Sequence, residues 1–456
     1  MAGWQTETVD TVPVGESTSL AFDASGKPAI SYVGTDNLKY AHFNGSLWGI
    51  TTVDVGNIGD IGDMDSYTSL AFHPLSGKPA ISYYDLSDSV LKYASFNGAA
   101  WVITPVDSID SASIREENGA TSLAFDTSGN PAIAYSDDGY VHNGILKYAH
   151  FNGATWDITS IDPGGCVGEG VSLAFDPVSG NPSISYTADC EGIGYDTDHL
   201  KYAHFNGTAW DITTVDSRGD GSMDESSSLA FDSSGNPAIA YARGISKKDS
   251  NIKYAHFNGA TWDITTVGAG KDKYQYQSPS LAFDSSGNPA IAYEEEISCV
   301  EINEEEICDV NIKYAHFNGA TWDITTIDAG SGPSLAFDAD GRPAIAYSDL
   351  GNYDLKFARF VPCQCDAGSP MGCISGTVTK VGTGKPLAGK TVTLRRMSPK
   401  PKITLNATTG SDGCYSFTDL VNGTYKIKVS SCKGGGSKTR VITGGGKVND
   451  INFQCR

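Results

Sequence analysis

The residues of this chain that most invite chemistry are carboxylates gathered in loops. Two stretches combine them with glycine: Gly59-Asp60-Ile-Gly-Asp63-Met-Asp65 and Gly219-Asp220-Gly-Ser-Met-Asp224-Glu225. Asp60, Asp63, Asp65, Asp220, Asp224 and Glu225 are therefore candidate ligand-binding residues. Hard cations take several oxygen ligands at flexible spacing, so Asp60, Asp63 and Asp65 are also candidate calcium ligands. The spacing is not that of a helix-flanked calcium loop, and solvated turn residues are the rival reading. A third stretch is denser: Glu294-Glu-Glu296, Glu301, Glu304-Glu-Glu306 and Asp309. An acidic run is usually a solvated loop. Here Cys299 and Cys308 bracket it, and a bond between them would stiffen it into a protrusion able to dock a basic partner.

Cysteine chemistry comes next. The chain holds 10 Cys, which suggests an oxidising compartment. Cys166 and Cys190 fall in two variable stretches of one repeat, and a disulfide there would be worth ~3 kcal/mol in the chain-entropy model. Cys363, Cys365, Cys373, Cys414, Cys432 and Cys455 have many alternative pairings, and sequence does not choose among them. Zinc is the rival for this group. The Cys-x-Cys spacing at 363–365 and the absence of His from residues 363–456 count against it. No nucleophile motif, phosphate loop or haem-attachment motif is present, so no catalytic residue and no cofactor is assigned beyond the candidate calcium.

These residues are positioned by a repeat. Ser-Leu-Ala-Phe begins at Ser19, Ser69, Ser122, Ser172, Ser228, Ser280 and Ser334, and Lys-Tyr-Ala-His-Phe or a close variant recurs in each unit. A Trp-x-Ile-Thr segment follows, at Trp48, Trp101, Trp156, Trp210, Trp262 and Trp322, with Trp4 as an outlying seventh Trp. Each unit of about 50 residues reads as four short strands rich in β-branched and aromatic residues, separated by Asp-x-x-Gly-Asn-Pro and Asn-Gly turns. Four antiparallel strands at this period predict an all-β chain: a seven-bladed β-propeller of four-stranded blades over residues 1–362. The chain begins on a fourth strand and ends the repeats on a third. Residues 4–9 should thus complete the last blade and close the ring. His42, His150, His204, His256 and His316 recur at one strand position and read as packing and hydrogen bonding between blades. The seven Trp and Tyr32, Tyr83, Tyr135, Tyr186, Tyr241, Tyr293 and Tyr347 read likewise.

The units, Ser-Leu-Ala-Phe-Asp, Gly-x-Pro-Ala-Ile-(Ala/Ser)-Tyr, Leu-Lys-Tyr-Ala-x-Phe-Asn-Gly and Trp, resemble propeller repeats of bacterial and archaeal secreted or surface proteins. The resemblance specifies a fold and almost nothing of activity. After Phe360 the pattern changes. Residues 363–372 read as a Cys-containing linker. Alternating strands with Gly-rich turns over residues 373–456, among them Ile374-Ser-Gly-Thr-Val-Thr379 and Gly423-Thr-Tyr-Lys-Ile-Lys-Val429, predict a small β-sandwich. This order resembles the carboxypeptidase regulatory-like, transthyretin-like domain, which in that family is non-catalytic and commonly attached to secreted proteins.

Charge separates the two parts. The 456 residues carry a formal net charge of −22. Residues 363–456 hold 14 Lys and Arg against 4 Asp and Glu, leaving 18 against 50 in residues 1–362. The acidic part argues against nucleic acid as partner. No apolar run approaches the ~18–20 residues that span a bilayer. Because strands alternate in direction, the short conserved turns lie on one face of the ring. The variable stretches 57–68, 107–121, 136–144, 187–199, 216–227 and 294–311 lie on the other. Variable loops on a rigid scaffold are where binding residues concentrate. The resulting expectation is a secreted or cell-surface scaffold without catalysis. Its acidic face would serve adhesion to a protein or glycan, and its basic C-terminal domain would serve homo-oligomer or filament assembly. The alternative is a carbohydrate-active enzyme, a glycosidase or polysaccharide lyase, with a central site on that face. The amino terminus reads as a mature one, with its signal peptide removed.

Overall fold

The computed structural model describes residues 3–56, 58, 68–108, 120–137, 144–163, 167, 170–188, 199–217, 223–243, 251–269, 276–302, 305–361, 372–381, 386–387, 389–399, 402–409, 414–429, 437–442, 447–448 and 451–455. The chain divides into two compact units, one of Thr6–Ala358 and one of Arg359–Arg456 with the first five residues.

The larger unit is built of repeated four-stranded sheets. Blade 5 shows the logic: Met223–Phe231, Pro237–Arg243, Asn251–Phe257 and Trp262–Ala269 pair antiparallel in chain order. Its first turn is tied by Asp232, whose Oδ1 accepts the N–H groups of Ser234 (2.8 Å) and Asn236 (2.9 Å). Gly235 takes the left-handed conformation there, at φ 83°. In the third turn Asn258 Oδ1 accepts from Ala260 (3.0 Å) and Thr261 (2.9 Å), so the Asn-Gly pair closes a tight hairpin. Asn206, within a glycosylation sequon, makes the same turn, and its Nδ2 donates to Asp211 at 2.9 Å. Among the described residues seven such sheets lie along the chain. The last orders Ser331–Phe337, Pro343–Ser348, Leu355–Val361 and then the amino-terminal strand Gly3–Asp10.

One hydrogen bond repeats around the ring. The Leu N–H of each Ser-Leu-Ala-Phe strand donates to the Ser hydroxyl of the blade before it. Leu70 reaches Ser19, Leu123 Ser69, Leu173 Ser122 and Leu335 Ser280, each at 2.9 Å. Leu229 reaches Ser172 and Leu281 Ser228, each at 3.0 Å. Leu20 then reaches Ser334 at 2.9 Å, which returns the series to its start. The serine is kept for its acceptor oxygen as well as its small volume. Farther out, the Tyr of one blade meets the Trp of the next edge-on. Tyr40–Trp101 and Tyr148–Trp210 lie at 5.2 Å and Tyr93–Trp156 at 5.4 Å, a favoured aromatic geometry.

The fourth strand carries a bulge in every blade whose pairing is described. In blade 1 Leu38 faces Asp54 and Lys39 faces Thr52, so Val53 is an extra residue. Val106, Ile161, Val215, Val267 and Ile327 are its counterparts. A bulge re-aims side chains. Here the extra residue turns toward the interior, and the residue after it meets the next blade.

The smaller unit has two sheets. One orders Cys414–Leu420, Gly372–Lys380 and Lys447–Val448, with Phe453–Cys455 also on Gly372–Lys380. The other orders Thr404–Thr408, Thr391–Ser398, Gly423–Val429 and Ser437–Ile442. Ile374, Val378, Val392, Leu394, Tyr415, Phe417 and Ile427 form its core. Cys414 and Cys455 are each disulfide-bonded, whereas Cys363, Cys365 and Cys432 lie outside the described residues. Among the described residues no helix is long and apolar enough to cross a membrane.

Candidate binding face

The fourth strands bring an acidic residue to all but one of the described blade boundaries on the variable-loop face. Six of the seven recurring tyrosines donate their hydroxyl to it. Tyr32 reaches Asp10, Tyr83 Asp54, Tyr135 Asp107, Tyr241 Asp216 and Tyr347 Asp328, all at 2.7 Å, and Tyr186 reaches Asp162 at 2.8 Å. Burial first, and the carboxylate second, pushes these phenols well above their ordinary range, so they act as neutral donors. The third-strand lysine completes the group: Lys39–Asp10 at 3.1 Å, Lys147–Asp107 at 2.9 Å and Lys201–Asp162 at 2.8 Å. In blade 5 Arg243 does this instead, 2.9 Å from Asp216. Burial raises the Asp10 carboxyl, but the Tyr32 hydroxyl and the Lys39 ammonium outweigh it and hold Asp10 below the usual carboxylate range.

Further carboxylates meet the same lysines at the ends of the second strands: Asp85 and Asp88 with Lys92, Asp137 with Lys147, Glu295 with Lys313, and Asp349 with Lys356. Burial alone would lower the Lys92 and Lys147 ammonium groups. Asp85 and Asp54 for Lys92, and Asp137 and Asp107 for Lys147, raise them instead. The sixth boundary differs. Gly268 replaces the aspartate, and a Cβ there would lie 3.0 Å from the Tyr293 hydroxyl oxygen.

The recurrent histidines have another role from the one expected of them. They bond within their own blade, to the aspartate of the first turn: His42–Asp23 and His256–Asp232 at 3.0 Å, His150–Asp126 at 3.1 Å, His316–Asp284 at 2.9 Å. His204 instead pairs its Nδ1 with the Ser183 hydroxyl at 2.8 Å. Burial raises Asp232, but bonds from Asn236, His256 and Ser234 overcome it and bring its pKa down to about 2. These imidazoles brace turns, on the face opposite the variable loops.

The acidic stretch after Glu294, expected to be a loop, is a hairpin. The strands Pro289–Ile302 and Glu305–Phe317 run 14 and 13 residues, where most of their counterparts run 7. Cys299 and Cys308 are directly opposed in register and joined by a disulfide. Glu296 Oε2 lies 3.9 Å from Cys299 Sγ. At the hairpin base Glu294 is buried, and its Oε1 accepts the Gly332 N–H at 2.6 Å. Asp60, Asp63, Asp65 and Asp220 lie outside the described residues, as do Cys166 and Cys190. The bridge between Val167 and Ala188 joins the two stretches that carry those cysteines. Asp224 and Glu225 fall on the strand Met223–Phe231, with only their backbone described. The Tyr–Asp and Ser–Leu bonds between blades were legible only as recurring residues, because their partners belong to different units.

Residues 373–456 match the family of carboxypeptidase regulatory-like domains. No curated protein matches the sequence at a significant level. Among solved structures, an ulvan lyase described as a new family of polysaccharide lyase superposes with TM-score 0.52. It is 14% identical, over 78% of this chain and 96% of that one. The Dos1 propeller gives TM-score 0.46 at 11% identity, over 78% of this chain and 95% of that one. An α-L-arabinanase of Penicillium chrysogenum in complex with arabinobiose gives 0.45 at 10% identity, over 78% and 97%. The larger unit is a β-propeller, followed by a carboxypeptidase regulatory-like domain.

Proposed function

We propose that this chain is a non-catalytic extracellular binding scaffold whose acidic, variable-loop propeller face takes a protein or glycan partner. The observation that supports it most is the disulfide-joined acidic hairpin Pro289–Phe317, an elongated element on the variable-loop face of a repeated scaffold. The recurrent titratable groups point the same way. Asp10, held below its usual range by Tyr32 and Lys39, is a poor proton carrier near neutral pH. Secretion fits the disulfide chemistry. Asp60, Asp63 and Asp65 would hold calcium, and isothermal titration with calcium tests this; no heat of binding removes it. Assembly of copies through the basic C-terminal domain is tested by light scattering across a salt series, where a monomer throughout refutes it.

The second reading, a glycosidase or polysaccharide lyase, is favoured by the fold shared with an ulvan lyase. A glycan array paired with a turnover screen on acidic and neutral polysaccharides separates the two. Binding without new reducing ends or unsaturated products supports the scaffold. Turnover overturns it and selects the enzyme.

A further inference from the structure

We propose that the outward face of the sheet formed by Thr404–Thr408, Thr391–Ser398, Gly423–Val429 and Ser437–Ile442 is a docking surface for an acidic polysaccharide. The alternation of these strands divides their side chains. Val392, Leu394, Tyr425, Ile427 and Val429 are buried on one side. Arg395, Lys426 and Lys428 are exposed on the other. In the observed register Arg395 lies directly opposite Lys426, and Lys428 stands opposite Thr393. Ser437 and Thr439 face Lys428 and Lys426 from the next strand. Neighbouring strands lie ~4.8 Å apart and alternate residues of one strand ~7 Å apart. Three cations thus occupy one small, flat field.

Like charges directly opposite one another across strands are unfavourable. Among the described residues no carboxylate comes within ion-pairing distance of Arg395, Lys426 or Lys428, although ion pairs are common in the propeller. Among the described residues nothing compensates this repulsion, and a polyanion would. Hydroxyls of Ser437 and Thr439 flank the cations at the spacing of the strands, where they can donate to and accept from sugar hydroxyls, and the Thr393 hydroxyl, which donates to Asn406 Oδ1 at 2.8 Å, can still accept. The alternating side chains of this face that carry the charges include no aromatic ring, so it lacks the stacking platform that single-stranded nucleic acid uses. It also presents no helix to a groove. Charge and hydroxyl chemistry together therefore favour a carboxylated or sulfated glycan.

The full chain and its Arg395→Gln/Lys426→Gln/Lys428→Gln variant are titrated against immobilised polygalacturonate and dextran sulfate. Neutral dextran and single-stranded DNA serve as the other two arms. The expected result is salt-sensitive binding of the two acidic glycans by the full chain. The variant should bind ~10–30-fold more weakly, with the salt slope reduced by up to about 2. An Arg395→Lys/Lys426→Arg/Lys428→Arg variant should retain binding, and unchanged circular dichroism of both variants establishes that the sheet is intact. The proposal is overturned if the full chain ignores both acidic glycans or if the Gln variant binds as tightly as the parent. It is overturned too if single-stranded DNA binds equally through the same three residues. Loss of self-association in the Gln variant, with no glycan binding by the parent, would assign the face to a second copy of the chain instead.

Discussion

Closure of the ring rests on a strand at one end of the chain meeting a blade formed just after it, and Asp10→Ala tests that seam. Asp10 lies on the amino-terminal strand that completes the last sheet, while Tyr32 and Lys39 belong to the first. The Tyr32 side chain is fully buried, and its hydroxyl donates to Asp10 at 2.7 Å. A hydrogen bond to a charged acceptor contributes about 1.5–3 kcal/mol, and alanine leaves the phenol without that acceptor. The Lys39 pair adds roughly 0.5 kcal/mol. A loss of about 3 kcal/mol follows. For a ring of this size it corresponds to a fall in Tm of roughly 3–6 °C. Tyr32→Phe should cost about 1.5 kcal/mol alone. Because both substitutions remove one shared bond, the double variant should be more stable than additivity allows by about 1.5 kcal/mol. Calorimetry and urea melts at pH 7 measure all four corners. The Asp10 carboxyl is depressed in the folded state. Its contribution is therefore present above the unfolded pKa near 4 and is lost as pH falls through the lower folded value, so the parent and Asp10→Ala curves should converge in acid. Additive losses in the double variant, or a Tm change below 1 °C for Asp10→Ala, would refute the reasoning. Removal of residues 1–10 deletes the whole strand and should lower Tm more than any of these.

Ser228→Ala leaves the Leu281 N–H without its acceptor between blades 5 and 6. It should cost about 1–2 kcal/mol in thermal unfolding, and an unchanged Tm would show that the ring of serines is incidental. Cys299→Ser/Cys308→Ser opens a loop with sequence separation 9, worth about 2.5 kcal/mol of local ordering in the chain-entropy model. Hydrogen exchange should accelerate in the hairpin Pro289–Phe317 and not in the other blades; uniform acceleration would contradict a local role. Acidification should leave the fold intact to about pH 4 and unfold it toward pH 2. The depressed turn carboxylates, with Asp232 at about 2, take up protons in that window. A Tm independent of pH between 4 and 2 would show that those turns hold without their charge.

The fold was legible because a repeat states its architecture many times. Ser-Leu-Ala-Phe, Asn-Gly and Trp-x-Ile-Thr each mark one strand or turn, and every copy reinforces the reading. The candidate site was legible only in its location. Tyr135 and Asp107 recur faithfully, yet 28 positions separate them, and nothing in either segment shows that a bulge at Val106 turns the aspartate toward the next blade. The histidines misled for a similar reason. Their recurrence is shared with the turn aspartates, and only geometry reveals that His150 bonds Asp126 of its own blade rather than a neighbouring blade. The acidic stretch 294–311 had the composition of a loop. Val300-Glu301-Ile302 and Cys308-Asp309-Val310, where apolar and acidic residues alternate, are the signal of a two-stranded extension.

The Leu-to-Ser hydrogen bonds all run in one rotational sense, each blade reaching back to the one before. A circuit of identical one-way steps has no natural first member. A propeller unit opened at a different variable loop, with Val361 linked back to the amino-terminal strand, should therefore reform the same circuit from a new starting point. What such a rearranged chain could not lose is the count. A ring short of one unit would leave one serine unclaimed on one side and one leucine amide unanswered on the other.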